Sequence, residues 1–183
     1  MIRTQMELSV PVIAAIRPAS GADLGPLTDF FAGLSPQSRY LRFFAPVSPR
    51  PGLVRRMCGG DGRTYAVVAV RGGVIIGHAM AVDEVGPRGV RSADFGVVVA
   101  DAWQGRGVGL ALMRALVTGA RARGVTSVTM DVLPENRRML ALIAGHWPAA
   151  RIEDSAGFAS FRIRLRQQPQ EPDAQRASLA SVG

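Results

Sequence analysis

Three glycines at alternate positions, Gly105, Gly107 and Gly109, stand in the stretch FGVVVADAWQGRGVGLALM, Phe95 to Met113. A strand-forming run, a short polar turn, the glycines and a helix-forming run follow one another there. Glycine has no Cβ, so backbone amides come close to a ligand; a helix start behind them offers unpaired N–H groups and a positive dipole end. Such a loop holds anions, and a pyrophosphate is its natural guest. The candidate binding loop is therefore Gln104 to Gly109, with Gly105, Arg106 and Val108 inside it and the Arg106 cation adding to phosphate attraction. A dinucleotide fold would want GxGxxG directly after a strand and an acid about 20 residues on. Asp131 lies near that distance, but the spacing is GxGxG and the turn Asp101 to Gln104 intervenes. The single cysteine, Cys58, sits in an Arg/Gly-rich stretch with no nearby histidine and reads as a plain thiol.

Periodicity gives the elements that must position this loop. Val10 to Arg17 is an apolar segment stopped by Pro18 and reads as a first strand. Ser20 with Asp23 resembles a capping box, and Leu24, Leu27, Phe30, Phe31 and Leu34 then keep helical spacing. Ser35 and Pro36 open a second helical stretch through Arg39, Tyr40, Phe43 and Phe44, and a short third piece ends near Cys58. Tyr65 to Val70, Val74 to Val82 and Ser92 to Val99 are strands joined by the glycine turns Arg71 to Gly73 and Gly86 to Gly89, an antiparallel meander. Gly107 to Arg123 is an amphipathic helix closed by Gly124. A strand from Val125 to Val132 follows, and Pro134 starts a helix carrying Met139, Leu140, Leu142 and Ile143. Finally Phe161, Ile163 and Leu165 alternate with Arg162, Arg164 and Arg166, a strand with one buried face.

Gln104, Gly107 and Gly109 match a motif of glutamine or arginine, two residues, glycine, one residue, glycine or alanine, and in this the stretch resembles the GNAT acetyltransferases. The order of elements fits over about 155 residues, Val10 to Leu165. The resemblance implies an α/β (α+β) GNAT fold: a mixed, mostly antiparallel twisted sheet of about seven strands flanked by about four helices. It also implies acetyl-CoA as cosubstrate and no metal. Val97, Val98 and Val99 stand where the family's strand bulges and splays and pairs with the pantetheine arm, while the loop amides take the pyrophosphate. Many members place a glutamate ten residues before the motif glutamine, to take a proton from the incoming ammonium. Asp94 stands there, as a base or as a solvated strand-start aspartate, with Asp83 and Glu84 in reserve. Asn136 bonds the cofactor or caps its own helix. The family's tyrosine seven residues further on, which protonates the CoA thiolate, is Ile143 here, and no tyrosine follows Tyr65. That role passes to solvent or the helix dipole, with His146 a surface histidine. The stretch LSPQSRYLRFF, Leu34 to Phe44, looks like the acceptor-side helix of bacterial protein lysine acetyltransferases, although Tyr40, Phe43 and Phe44 equally suit a core.

A chain of 183 residues suits one domain, and buries roughly 70% of its unfolded surface without staples. Residues 10–166 form the expected GNAT domain, 1–9 an N-terminal extension, and 167–183 a disordered tail or linker, since that end lacks aromatics and periodicity. The lone cysteine points to a reducing, cytoplasmic setting, and no apolar run is long enough for a bilayer. The net charge of +8 comes from 22 arginines and no lysine, spread without a run longer than two, so a nucleic-acid stripe is not indicated. The expected function is transfer of an acetyl group from acetyl-CoA to a primary amine, a small amine or a protein lysine. The alternative is a noncatalytic acyl-CoA-binding regulatory module. A second domain in a longer chain, or a homodimer, is the partner left open.

Overall fold

A computed structural model describes residues 14–155 and 157–165. The extension, the first part of the expected first strand and the tail lie outside the described residues. Seven strands, β1 (Ala15–Pro18), β2 (Thr64–Arg71), β3 (Val74–Val85), β4 (Arg91–Val99), β5 (Ser127–Val132), β6 (Arg151–Ser155) and β7 (Phe158–Arg164), form one sheet in the order β1-β2-β3-β4-β5-β7-β6. Every pairing is antiparallel except β4 with β5. The expected meander is the centre of the sheet, because connections of two residues (72–73) and five residues (86–90) are too short for anything but hairpins between consecutive strands. β6 has no alternating apolar signature, its Ile152 being exposed, and it forms by pairing with β7 at the sheet edge.

Among the described residues five α-helices cover the sheet, one more than the expected count of about four: α1 (Leu24–Ala32), α2 (Pro36–Phe43), α3 (Pro51–Met57), α4 (Val108–Ala122) and α5 (Arg137–His146). The expected capping box of Ser20 and Asp23 is present. Asp23 accepts from the Ser20 N–H at 2.8 Å and pairs with Arg17 at 2.6 Å, holding a 3-10 turn that leads into α1. α5 begins three residues after Pro134, because the Asn136 side chain caps it by accepting from the Met139 N–H at 3.2 Å.

Two apolar clusters flank the sheet. On one face Leu112, Met113, Leu116 and Ala120 of α4 bury against Val67, Ala79, Ala81, Phe95 and Val128. On the other, Leu27, Phe30 and Phe31 of α1 and Val54 and Met57 of α3 bury against Val68, Met80 and Val98. The alternation of β4 follows from this: Phe95, Val97 and Val99 turn to the α4 side, and Asp94, Gly96 and Val98 to the side of α1 to α3. Among the described residues no helix is long and apolar enough to cross a membrane.

Candidate active site

β4 and β5 pair only through Ser92, Ala93 and Asp94 with Ser127, Val128 and Thr129. Beyond Asp94 they part: Phe95 to Val99 keep β3 on one side, while Met130 to Val132 pair with β7. The result is a wedge whose β4 edge, from Phe95 onward, has no strand partner among the described residues, so that its outward N–H and C=O groups, the Val99 carbonyl excepted, can pair with an extended guest. The register of β4 on β3 runs unbroken from Gly77 opposite Val99 to Val85 opposite Arg91, so the expected bulge in β4 is absent. Loss of the β5 partner alone makes the opening.

At the wide end of the wedge the chain passes a 3-10 turn, Asp101–Trp103, and enters the glycine loop. Gly105 has φ 72° and Gly107 φ 82°, left-handed values that favour glycine. Gly109 differs: it is helical, and an added Cβ would make only ordinary contact with Leu142 and Val99. The first bond into α4 runs from the Ala111 N–H to the Gly107 carbonyl, and no backbone N–H from Gly105 to Leu110 finds an acceptor among the described residues. These amides, at the positive end of a 15-residue helix, suit an anion. The Val108 side chain is core, so only its backbone serves the loop. Arg106 is exposed over the Trp103 ring at 5.3 Å, with Arg71 over the same ring at 4.7 Å.

Gln104 turns inward. Its Nε2 donates to the Ser38 Oγ and the Val99 carbonyl, both at 3.0 Å, and its Oε1 accepts from Arg138 at 2.5 Å. Asp101 holds the same helix from the other side, accepting from the Ser35 N–H at 3.0 Å and from the Ser35 and Ser38 hydroxyls at 2.7 Å. The turn before the glycine loop and the N-terminus of α2 are thus one hydrogen-bonded unit. Sequence reasoning assigned Gln104 to the ligand and did not find this tie.

A small cleft of about 90 Å³ lies at the narrow end of the wedge, under α2. Asp94, Gly96 and Val97 of β4 form one wall, Met130 and Asp131 of β5 the other, and Arg42 of α2 with its C-cap Phe44 the roof, with Asn136 also lining it. Asp94 accepts from the Thr129 hydroxyl at 3.4 Å. Its carboxyl is raised above the usual aspartate range, first because the cleft walls strip water from it, then because the Asp131 charge faces it; Arg42 and Thr129 oppose the shift, and Glu84 adds to it. A raised carboxyl is a better proton acceptor. Of the reserve candidates, Asp83 lies on the opposite face, buried and held by Arg91 at 3.1 Å and Arg123 at 2.7 Å. Asp131 enters the site instead, through the pairing that sets β5 beside β4.

Phe43 packs edge-on against Phe31 at 5.7 Å, in the core, whereas Phe44 turns out. Phe44 ends α2 in the left-handed region at φ 57°, a conformation costing about 1 kcal/mol or more for a side chain of this size. There its ring meets Phe158 of β7 at 5.7 Å, so the roof reaches across the cleft. Ile143, at the place of the expected tyrosine, is buried in the core, and His146 bonds the Leu142 carbonyl at the far end of α5, outside the cleft.

The sequence model described as Acetyltransferase (GNAT) family matches residues 35–146, from the N-cap of α2 to the last residue of α5. The chain belongs to the GNAT acetyltransferase family. Enzymes of this family use acetyl-CoA as cosubstrate. The GNAT domain of PAT from S. lividans is 28% identical, with TM-score 0.74 over 83% of this chain and 90% of that one. A GNAT phosphinothricin acetyltransferase from Sinorhizobium meliloti, solved with acetyl-CoA, is 19% identical, with TM-score 0.68 over 88% of this chain and 97% of that one. A putative acetyltransferase from Salmonella typhimurium, solved with its cofactor acetyl-CoA, is 18% identical with TM-score 0.66, over 88% and 99% of the two chains. The last two likenesses concern the fold. No curated protein sequence matches significantly. The GNAT wedge, its open β4 edge and the unbonded amides of the glycine loop fit a long ligand that carries phosphates at one end and an extended arm at the other.

Proposed function

We propose that this GNAT domain transfers the acetyl group of acetyl-CoA to a primary amine, with a protein lysine as the leading acceptor class. The observation that carries the reading is the wedge, with unbonded amides at its rim and a raised carboxyl at its throat. The amides from Gly105 to Leu110 take the pyrophosphate, with Arg106 adding charge, and Val97, Val98 and Val99 line the strand edge that meets the pantetheine arm, the Val99 carbonyl being held by Gln104. Asn136 lies near the same arm, but its Oδ1 is spent on α5, which leaves its amide nitrogen to donate. The thioester then lies beside Asp94, and the acceptor enters beneath α2.

Asp94 takes a proton from the ammonium, and the free amine attacks the thioester carbonyl. A backbone N–H near Val98 steadies the oxyanion, the C–N bond forms, the C–S bond breaks, and CoA leaves as thiolate. The thiolate takes its proton from solvent and is steadied by the α4 dipole, since the buried Ile143 supplies none. The acceptor class rests on the likeness of Leu34 to Phe44 to the acceptor-side helix of protein lysine acetyltransferases. That same Ile143 favours the second reading, a module that binds acyl-CoA without turnover.

Thiol release from acetyl-CoA, followed with a panel of amines and lysine peptides, separates the two readings. Asp94→Asn should lower turnover by roughly 10²- to 10⁴-fold, with residual activity rising as pH frees the amine. Tight acetyl-CoA binding with no thiol release from any acceptor would favour the module.

A further inference from the structure

Arg42 is the one cation lining the cleft, and it has no ion pair and no hydrogen bond among the described residues. Its Nε is buried without a partner. Its neighbours are the Phe43 ring, 5.1 Å from Cζ, and the Gly96 backbone. A methyl group at Gly96 would overlap Cζ and both terminal nitrogens, so the guanidinium fills the space a side chain would take. Glycine inside a strand weakens it and marks close approach by another group. Gly96 and Arg42 are therefore a matched pair, at the cost of a strand glycine and of a cation taken out of water. Burial draws the guanidinium down to about 10, and Asp94, too far for an ion pair, offsets this only in part. A partly buried cation with a buried, unpartnered Nε and no ion pair is costly, and an anion that arrives with the substrate relieves the cost.

Asp94 and Asp131 are the acidic residues that line the same cleft among the described residues, and the Glu84 charge acts on Asp94 from outside it. Negative and positive charge are thus held apart along one strand face, at Asp94 and above Gly96. Two residues on one face of a strand lie roughly 6.5 to 7 Å apart. The geometry points to an acceptor that carries a carboxylate a few bonds from its amine, the amine against Asp94 and the carboxylate on the guanidinium fork of Arg42. This assignment rests on the amine-transfer reading above and narrows its substrate class. The carboxylate belongs either to a free amino acid or to an acidic residue beside an acceptor lysine.

The test uses matched pairs of acceptors. One arm takes glycine, β-alanine, 4-aminobutyrate and 6-aminohexanoate, each beside its amide; the other takes lysine peptides with Glu or Gln next to the lysine. With the parent protein, kcat/KM in at least one arm should favour the carboxylate roughly ten- to a hundredfold, the span of a hydrogen bond to a charged group, and that arm names the source. Arg42→Gln should bring the ratio close to one, and Arg42→Lys should keep part of it. Gly96→Ala, which displaces the guanidinium without removing it, should also lower the ratio, and it serves if Arg42→Gln melts early. A parental ratio near one in both arms, or a ratio that survives Arg42→Gln and Gly96→Ala, overturns the assignment. If no acceptor of either kind releases thiol, the amine-transfer reading fails by itself. Calorimetry of the same carboxylates and amides on the CoA-loaded protein then decides the site: carboxylate binding that Arg42→Gln weakens supports it, and equal binding of both members refutes it.

Discussion

His78 on β3 is fully buried beneath Phe31, whose ring lies 5.5 Å away. Its Nε2 faces the Met57 carbonyl at 2.9 Å; a carbonyl only accepts, so Nε2 carries a proton. Nδ1 has no partner among the described residues. Burial, helped by the Arg42 charge, lowers its pKa from 6.5 to about 4, against the Met57 bond, which raises it. The folded pKa lies below the unfolded one, so between about pH 4 and 6.5 the unfolded chain binds the extra proton. Stability is therefore held above pH 6.5 and lost as pH falls through that window. Linkage over this shift gives about 2 kcal/mol of lost stability between pH 7 and 4.5. For a domain of this size that is roughly 4 to 8 °C in Tm. Asp94 acts with the opposite sign, since its raised carboxyl becomes less unfavourable as pH falls, and this is why a variant comparison is needed. His78→Gln keeps a donor toward Met57 and removes the titration. Denaturant unfolding at pH 7, 6, 5 and 4.5 should show the parent losing about 2 kcal/mol more than the variant across that range. Parallel stability curves would refute the reasoning and place the acid sensitivity elsewhere.

Gly107→Val should cost about 1 to 3 kcal/mol, because a β-branched residue must adopt φ near 82°, and calorimetry should show acetyl-CoA binding lost. Gly109→Ala, helical and with room for a methyl, should melt close to the parent, and a large drop would put an unseen constraint there. Gln104→Leu leaves the Val99 carbonyl short of a donor and removes one of the ties between α2 and the loop, those to Asp101 remaining. Denaturant unfolding should show a loss of about 1 to 2 kcal/mol, together with a higher KM for the acceptor; an unchanged acceptor KM would separate the tie from the cleft.

Much of the frame was legible because it is local. Glycine turns force the meander, the spacing of Leu112 and Leu116 gives α4 its buried face, and Gly105 and Gly107 mark a loop with unusual φ values. Alternation along β4 also places Asp94 and Gly96 on one face. The start of α5 was misread because Pro134 suits a first helical turn, while the Asn136 side chain, two residues on, supplies the cap. Which strand lies beside which is not local. Three paired residues, then a parting, bring Asp131 to Asp94 and open the wedge; Asp83, a reserve candidate in sequence, is taken by Arg91 and Arg123 on the other face. Gln104 becomes a tie between loop and helix only because α2 lies over the end of β4. Arg42, one of 22 arginines with nothing in sequence to distinguish it, acquires its role by lying in the space that Gly96 leaves. Residue type and period determine the conformation a segment prefers and the face it buries, and so the sequence alone specified strands, helices and a phosphate-type loop. Contacts between distant segments depend on how those faces pack together, so the charges of the acceptor cleft were decided by the tertiary structure.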